Sequence, residues 1–179
     1  MFRELCIEGQ DHGVIPYYLR HYADDIVKLR LEANRDNYRN KPQKERPGMK
    51  DSVLLGEVPR DYYTDFIGIL GELIVRRYFE IDPRFEWYAS QTMIQTRGSD
   101  GSDLDVKMVG KDEKVLVNVK SGEGSLKANK RAVDIGGSDL YVFIRFISPT
   151  LFVPYKFSQK EIQEWEVKHA YSAYYNLNV

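Results

Sequence analysis

Disulfides and soft-metal centres have almost nothing to work with in this chain: one cysteine, Cys6, and three histidines, His12, His21 and His169, in 179 residues. A single thiol excludes an internal disulfide, and no CxxC pair or Cys/His cluster has the spacing of structural zinc. No apolar run is long enough to cross a membrane as a helix. The opening MFRELCIEGQDHG lacks the basic and apolar regions of a signal peptide, so a reducing cytoplasm is the expected compartment. No internal repeat is visible. A net charge of -1 gives the chain as a whole no pull on a polyanion.

What is present is an ordinary globular composition, 42% hydrophobic and 30% charged, in a length suited to one domain over residues 1–179. The charge is unevenly placed. Eight basic residues fall between Lys28 and Lys50, among them Lys41, Lys44 and Arg46, against only Glu32, Asp36 and Glu45. This segment either tracks phosphates or is simply a solvated helix end and loop.

The periodicity predicts a helix from Ile15 to about Arg39, with Tyr18, Tyr22, Ile26, Leu29 and Ala33 on its apolar face. Pro42, Pro47 and Gly48 then mark a loop. A second helix is expected over roughly Asp61 to Phe79, with a stripe of Tyr62, Phe66, Ile69, Leu70, Leu73 and Ile74, and with Glu72 on its flank. Gly68 and Gly71 weaken that helix by about 1 kcal/mol each, which predicts close packing against them. Glu72 read on helix grounds alone is an exposed partner of Arg76 at i+4.

Strand character returns at Phe85 to Thr96, and a short helix is expected around Leu126 to Val133. LYVFIRF, Leu140 to Phe146, has the continuous apolar run of a central strand covered on both faces. Thr150 to Val153 pairs beside it, and Ser158 with Glu161 forms a capping box that opens a last helix reaching Trp165 or as far as Ala170. The expected fold is α/β: a central mixed sheet flanked by helices. A helical extension and basic loop occupy 1–58, the core 59–157, and a C-terminal helix and tail 158–179.

Within the core, GSDLDVKMVGKDEKVLVNVK, Gly101 to Lys120, alternates as a β-hairpin with Gly110 to Glu113 as its turn. Asp103, Asp105 and Lys107 face away from Leu104, Val106 and Met108. Asn118 and Lys120 face away from Val117 and Val119. A carboxylate, an amide and an ammonium are thereby brought toward one end.

The succession of Glu72 in GELIVRRYFE, Asp103 in GSDLDV and Lys120 in VLVNVKSG resembles the PD-(D/E)XK nuclease superfamily, in the branch of Holliday-junction resolvases and small restriction-type enzymes. It covers roughly Gly71 to Phe146. The resemblance implies a restriction-endonuclease-like core and a magnesium- or manganese-dependent DNA endonuclease leaving a 5′-phosphate and a 3′-hydroxyl. Such chemistry calls for hard oxygen ligands: Asp103, the Val119 carbonyl, the side chain of Asn118, and Glu72 directly or through water. Lys120 would orient or deprotonate the attacking water and stabilise developing charge. Asp103 is preferred to Asp105 because the aspartate of the pattern directly precedes the apolar strand.

Asn118 departs from the pattern, which has Asp or Glu there. Three readings stand open: a natural variant whose missing charge comes from Asp105, Glu123 or Glu72, an engineered inactivation, or a pseudo-nuclease that binds without cutting. Lys127, Lys130 and Arg131 are candidates for holding the substrate backbone. Tyr171, Tyr174 and Tyr175 either stack on bases or, as preferred, close a core or dimer contact. A homodimer is expected for cutting both strands, with no membrane and no small-molecule cofactor. The competing classes are a nucleic-acid-binding protein without activity and a protein-interaction domain.

Overall fold

The computed structural model describes residues 12–33, 60–88, 103–136, 138–170 and 172–179. The expected Lys41, Lys44, Arg46 and Tyr171 contacts lie outside them. Two helices, α1 (Tyr17–Ala33) and α2 (Arg60–Ile81), precede most of the strands. The six-stranded sheet takes β1 (Gly13–Val14), β2 (Phe85–Tyr88), β3 (Leu104–Met108), β4 (Lys114–Gly122), β6 (Leu140–Ser148) and β7 (Leu151–Phe157), in the order β1-β7-β6-β4-β3-β2. Only β4 and β6 run parallel, so the sheet is mixed. Between them come β5 (Leu126–Asn129) and the short helix α3 (Lys130–Ile135). After β7 come α4 (Gln159–Gln163), β8 (Glu166–His169) and β9 (Ala173–Leu177).

The helices cover one face of the sheet. Val117 and Val119 of β4, Val142 and Ile144 of β6 and Leu104 and Val106 of β3 share a core with Phe66, Ile69, Leu70, Leu73 and Ile74 of α2. That stripe agrees with the sequence pattern, and Tyr63, Ile67, Val75, Tyr78 and Phe79 widen it, because α2 is pressed between the sheet and α1. On α1 the buried residues are Leu19, Ala23, Ile26 and Val27, whereas Tyr18 and Tyr22 are 55% and 50% exposed. The expected face is thus turned by one residue, about 100° of helix. Leu19, Ala23, Ile26 and Val27 have helical spacing too, and being smaller they let α1 approach α2. The tyrosines keep their hydroxyls in water.

Gly71 is where α2 comes closest to the sheet. A Cβ built there would stand 1.8 Å from Ser121 Oγ, so no larger residue fits without displacement. A Cβ built at Gly68, expected to be close-packed as well, would meet nothing within 4 Å among the described residues. At the C-terminal end of α2 the buried Asp82 accepts from Tyr78 Oη at 3.0 Å and from Arg84 N at 3.0 Å, and its carboxylate pairs with the Arg84 guanidinium. That guanidinium holds the Asp82 carboxyl well below the usual carboxylate range. Burial, then the bond to Asp82, pushes the Tyr78 phenol up to about 12. This clasp fixes the turn from α2 into β2.

The other face of the sheet carries a smaller core. Tyr141 and Phe143 of β6 meet Leu126, Ala128, Val133, Ile162 and Tyr175 there. The strand at Leu140 is covered on both sides, as its continuous apolar run predicts. Two expectations fail in this region. Instead of a helix from Leu126, β5 pairs with β9, and Asn129 then caps α3 by accepting from Ala132 N at 3.1 Å. Instead of a helix to Trp165 or Ala170, the capping box of Ser158 and Glu161 starts a five-residue helix, and the chain continues as β8 and β9 in a sheet ordered β5-β9-β8. Past Trp165 the residues Glu166, Val167, Lys168 and His169 carry no further apolar residue at helical spacing. Val167 lies opposite Tyr175 in the antiparallel pair.

Among the described residues, no helix is long and apolar enough to cross a membrane.

Candidate functional site

The hairpin forms as its alternation predicts. β3 and β4 pair antiparallel from Leu104 with Val117 to Lys107 with Lys114, and Gly110 takes a φ of 78° at the turn. With Val117 and Val119 committed to the α2 side, Asn118, Lys120 and Gly122 face the other way. Cross-strand pairing sets Asn118 beside Tyr141, Lys120 beside Phe143 and Gly122 beside Arg145.

Asp103 sits where the ladder between β3 and β4 ends. Its backbone N–H donates to Val117 O at 2.9 Å. Its side chain then takes over from the backbone: Oδ2 accepts from Val119 N at 2.6 Å, a charge-assisted bond that fixes the carboxylate. Lys120 reaches the same place. Its Nζ lies 3.7 Å from Asp103 Oδ2 and donates to Val119 O at 3.2 Å. Asp103, Val119 and Lys120 are therefore gathered within hydrogen-bonding or ion-pair range, and Asn118, 8% exposed, directly precedes Val119 on β4. Asp105 is placed elsewhere. It lies toward the turn, 3.8 Å from Lys114 Nζ.

Glu72 is carried by α2, on the opposite face of the sheet from Lys120. The contact of Gly71 with Ser121 fixes its height along β4, level with the residues just after Lys120, and its side chain is half-buried. Arg76 donates to Glu80 at 2.9 Å, and both Glu72 and Arg76 make further interactions. Among the described residues, no group of three or more His, Cys, Asp or Glu side chains comes together as a metal centre.

The basic residues after β4 separate. Lys127 is exposed on β5, with Nζ 5.7 Å from the centroid of the Tyr174 ring. Lys130 is tied down: it pairs with Asp134 and donates to Tyr175 Oη at 3.2 Å, while Tyr175 donates to Asp134 at 2.7 Å. The bond to Asp134 raises the Lys130 pKa and the same bond lowers that of Asp134. Arg131 is exposed on α3. Tyr175 is buried in the smaller core and Tyr174 is only half-buried.

One residue of this face was missed in the sequence. Arg145 lies on β6 beside Gly122, and its signal was a single cation inside the otherwise apolar LYVFIRF.

No family model, curated protein or solved structure matches the chain.

Proposed function

We propose that this chain is a divalent-metal-dependent DNA endonuclease with a restriction-endonuclease-like core. Asp103, Asn118, Val119 and Lys120 form its centre. The observation that carries the reading is the convergence of the Asp103 carboxylate, the Val119 carbonyl and the Lys120 ammonium at the parting of β3 and β4.

The donor atoms suit a hard cation. Carboxylate, amide and carbonyl oxygens are what magnesium and manganese take, with water and substrate phosphate completing the set. The Lys120 ammonium already bridges Asp103 Oδ2 and Val119 O, so this pair of oxygens accommodates positive charge. A bound metal would lower the pKa of a water nucleophile and neutralise charge on the phosphate. The chain supplies the rest. Asp103 and the Val119 carbonyl would hold the cation, and the Val119 N–H keeps the carboxylate from swinging away. Lys120 orients the attacking water or stabilises the charge that develops on the phosphoryl oxygens.

The test is a labelled DNA duplex incubated with Mg²⁺ or Mn²⁺, with product ends analysed. The expected products carry a 5′-phosphate and a 3′-hydroxyl, and Asp103→Ala lowers the rate by at least about a hundredfold. Equal cleavage by Asp103→Ala would remove this centre from the reaction.

A second reading is favoured by Asn118. A single fixed carboxylate with an amide beside it gives a weaker cation site than two carboxylates, which suits a protein that binds nucleic acid without cutting it. Filter binding across a salt series separates the two, because affinity with no cleavage in either metal selects the second. A homodimer, with two such centres for two strands, belongs to the first.

A further inference from the structure

Arg145 stands one row beyond Lys120 on the same face of the sheet. The pairing of β4 with β6 places Lys120 beside Phe143 and Gly122 beside Arg145, so the two cations are diagonal neighbours. Adjacent strands and a two-residue step put their Cβ atoms roughly 8 Å apart. Between them lies Gly122, where a Cβ would meet nothing within 4 Å among the described residues. The space beside Gly122, next to Arg145 across the strand pair, is open.

Arg145 Nε is buried and has no hydrogen-bond partner among the described residues. Burying a guanidinium N–H without an acceptor costs free energy, and an ordered water, an ion or a ligand is what satisfies such a group. A carboxylate is close in sequence: Glu123 follows Gly122, and its Oε1 is likewise buried without a hydrogen bond. The two atoms do not satisfy each other.

We infer that Arg145 binds a backbone phosphate of a nucleic acid in the space left by Gly122, next to the phosphate at Asp103 and Lys120. This rests on the proposed function of the same face. The planar guanidinium offers two parallel N–H donors to two phosphate oxygens, which an ammonium cannot do. The seat therefore serves phosphodiester recognition beside the reacting group, and it reads no base.

The experiment is binding of a fluorescent DNA duplex to the full chain without divalent metal, over a salt series, beside thermal melting of each variant. Arg145→Gln is expected to weaken binding about ten- to a hundredfold and to reduce the slope of log K against log salt by about one. Arg145→Lys keeps the slope and loses part of the affinity. Gly122→Leu fills the seat from the other strand and weakens binding with the charge intact, which keeps the test open should Arg145→Gln fail to fold. Glu123→Gln binds as well as wild type or better; a loss matching that of Arg145→Gln would instead make the pair an internal salt link and overturn the inference. Wild-type affinity and slope in both Arg145→Gln and Gly122→Leu also overturn it, even when cleavage at Asp103 is intact. Conversely, a chain that never cleaves yet binds through Arg145 rejects the nuclease and keeps the seat. DNA that does not bind wild type at low salt removes both.

Discussion

On the α2 side of β4, Val117, Val119 and Ser121 meet a helix so closely that Gly71 has no room for a methyl group. On the other side, Asn118, Lys120 and Gly122 stand near Asp103 and Arg145, over space that Gly122 leaves open. Both sides come from one alternating run of nine residues. The closed side is constrained by volume, and any change of size there is felt across the sheet. The other side is constrained by charge and hydrogen bonding: Asn118 is buried beside Tyr141 of the smaller core, whereas Lys120 and Gly122 are only half-buried. Substitutions on the two sides should therefore separate stability from activity.

The largest expected effect is on the open side. Lys120→Met keeps the aliphatic stem and removes the ammonium, and cleavage is expected to fall about 10²- to 10⁴-fold with the melting temperature within a degree or two of wild type. A matching collapse of stability would show that Lys120 is structural and erase the contrast.

The closed side comes next. Gly71→Ala forces its new methyl onto Ser121 and is expected to cost about 1–3 kcal/mol, a fall in Tm of roughly 2–4 °C per kcal/mol for a chain of this size. Adding Ser121→Gly should restore most of it, as measured by thermal denaturation. Failure of the double variant to recover would mean that the approach of α2 is set by something other than this contact.

A smaller, pH-dependent effect lies at the end of the same helix. The folded-state pKa of Asp82 is depressed by Arg84, so its contribution is present above the unfolded value of about 3.9 and is lost as pH falls below it. Arg84→Met should flatten the acid side of the stability curve, read as Tm between neutral pH and about pH 3. Tyr78 acts in the opposite sense. Its raised pKa contributes stability below about pH 10 that is lost as pH rises toward 12, and Tyr78→Phe should remove that alkaline loss.

The smallest effect is expected far from β4. Tyr175→Phe breaks the bond to Asp134 but keeps the ring in the smaller core, and about 1 kcal/mol should be lost with DNA binding unchanged.

The hairpin, the two-sided β6 strand and the α2 stripe were legible in sequence because each has a single period over many residues. The preference for Asp103 over Asp105 followed from its place directly before the apolar strand, and the structure places Asp103 against Val119 and Asp105 against Lys114. The face of α1 was misread because two stripes of helical spacing compete there and tyrosine counts as apolar in both. The C-terminal strands were hidden by a genuine capping box, which specifies where a helix starts and says nothing of where it ends. Arg145 was passed over because its neighbours across the sheet come from another strand, and a strand pairing of this kind is not written in local sequence.

The most direct test of the centre on β4 is cleavage of plasmid DNA in Mn²⁺ by wild type, Asn118→Asp and Asp103→Ala side by side. Restoring a second carboxylate at Asn118 should raise the rate at least about tenfold over wild type, while Asp103→Ala stays at background. Cleavage absent from both wild type and Asn118→Asp, or undiminished in Asp103→Ala, would contradict the account.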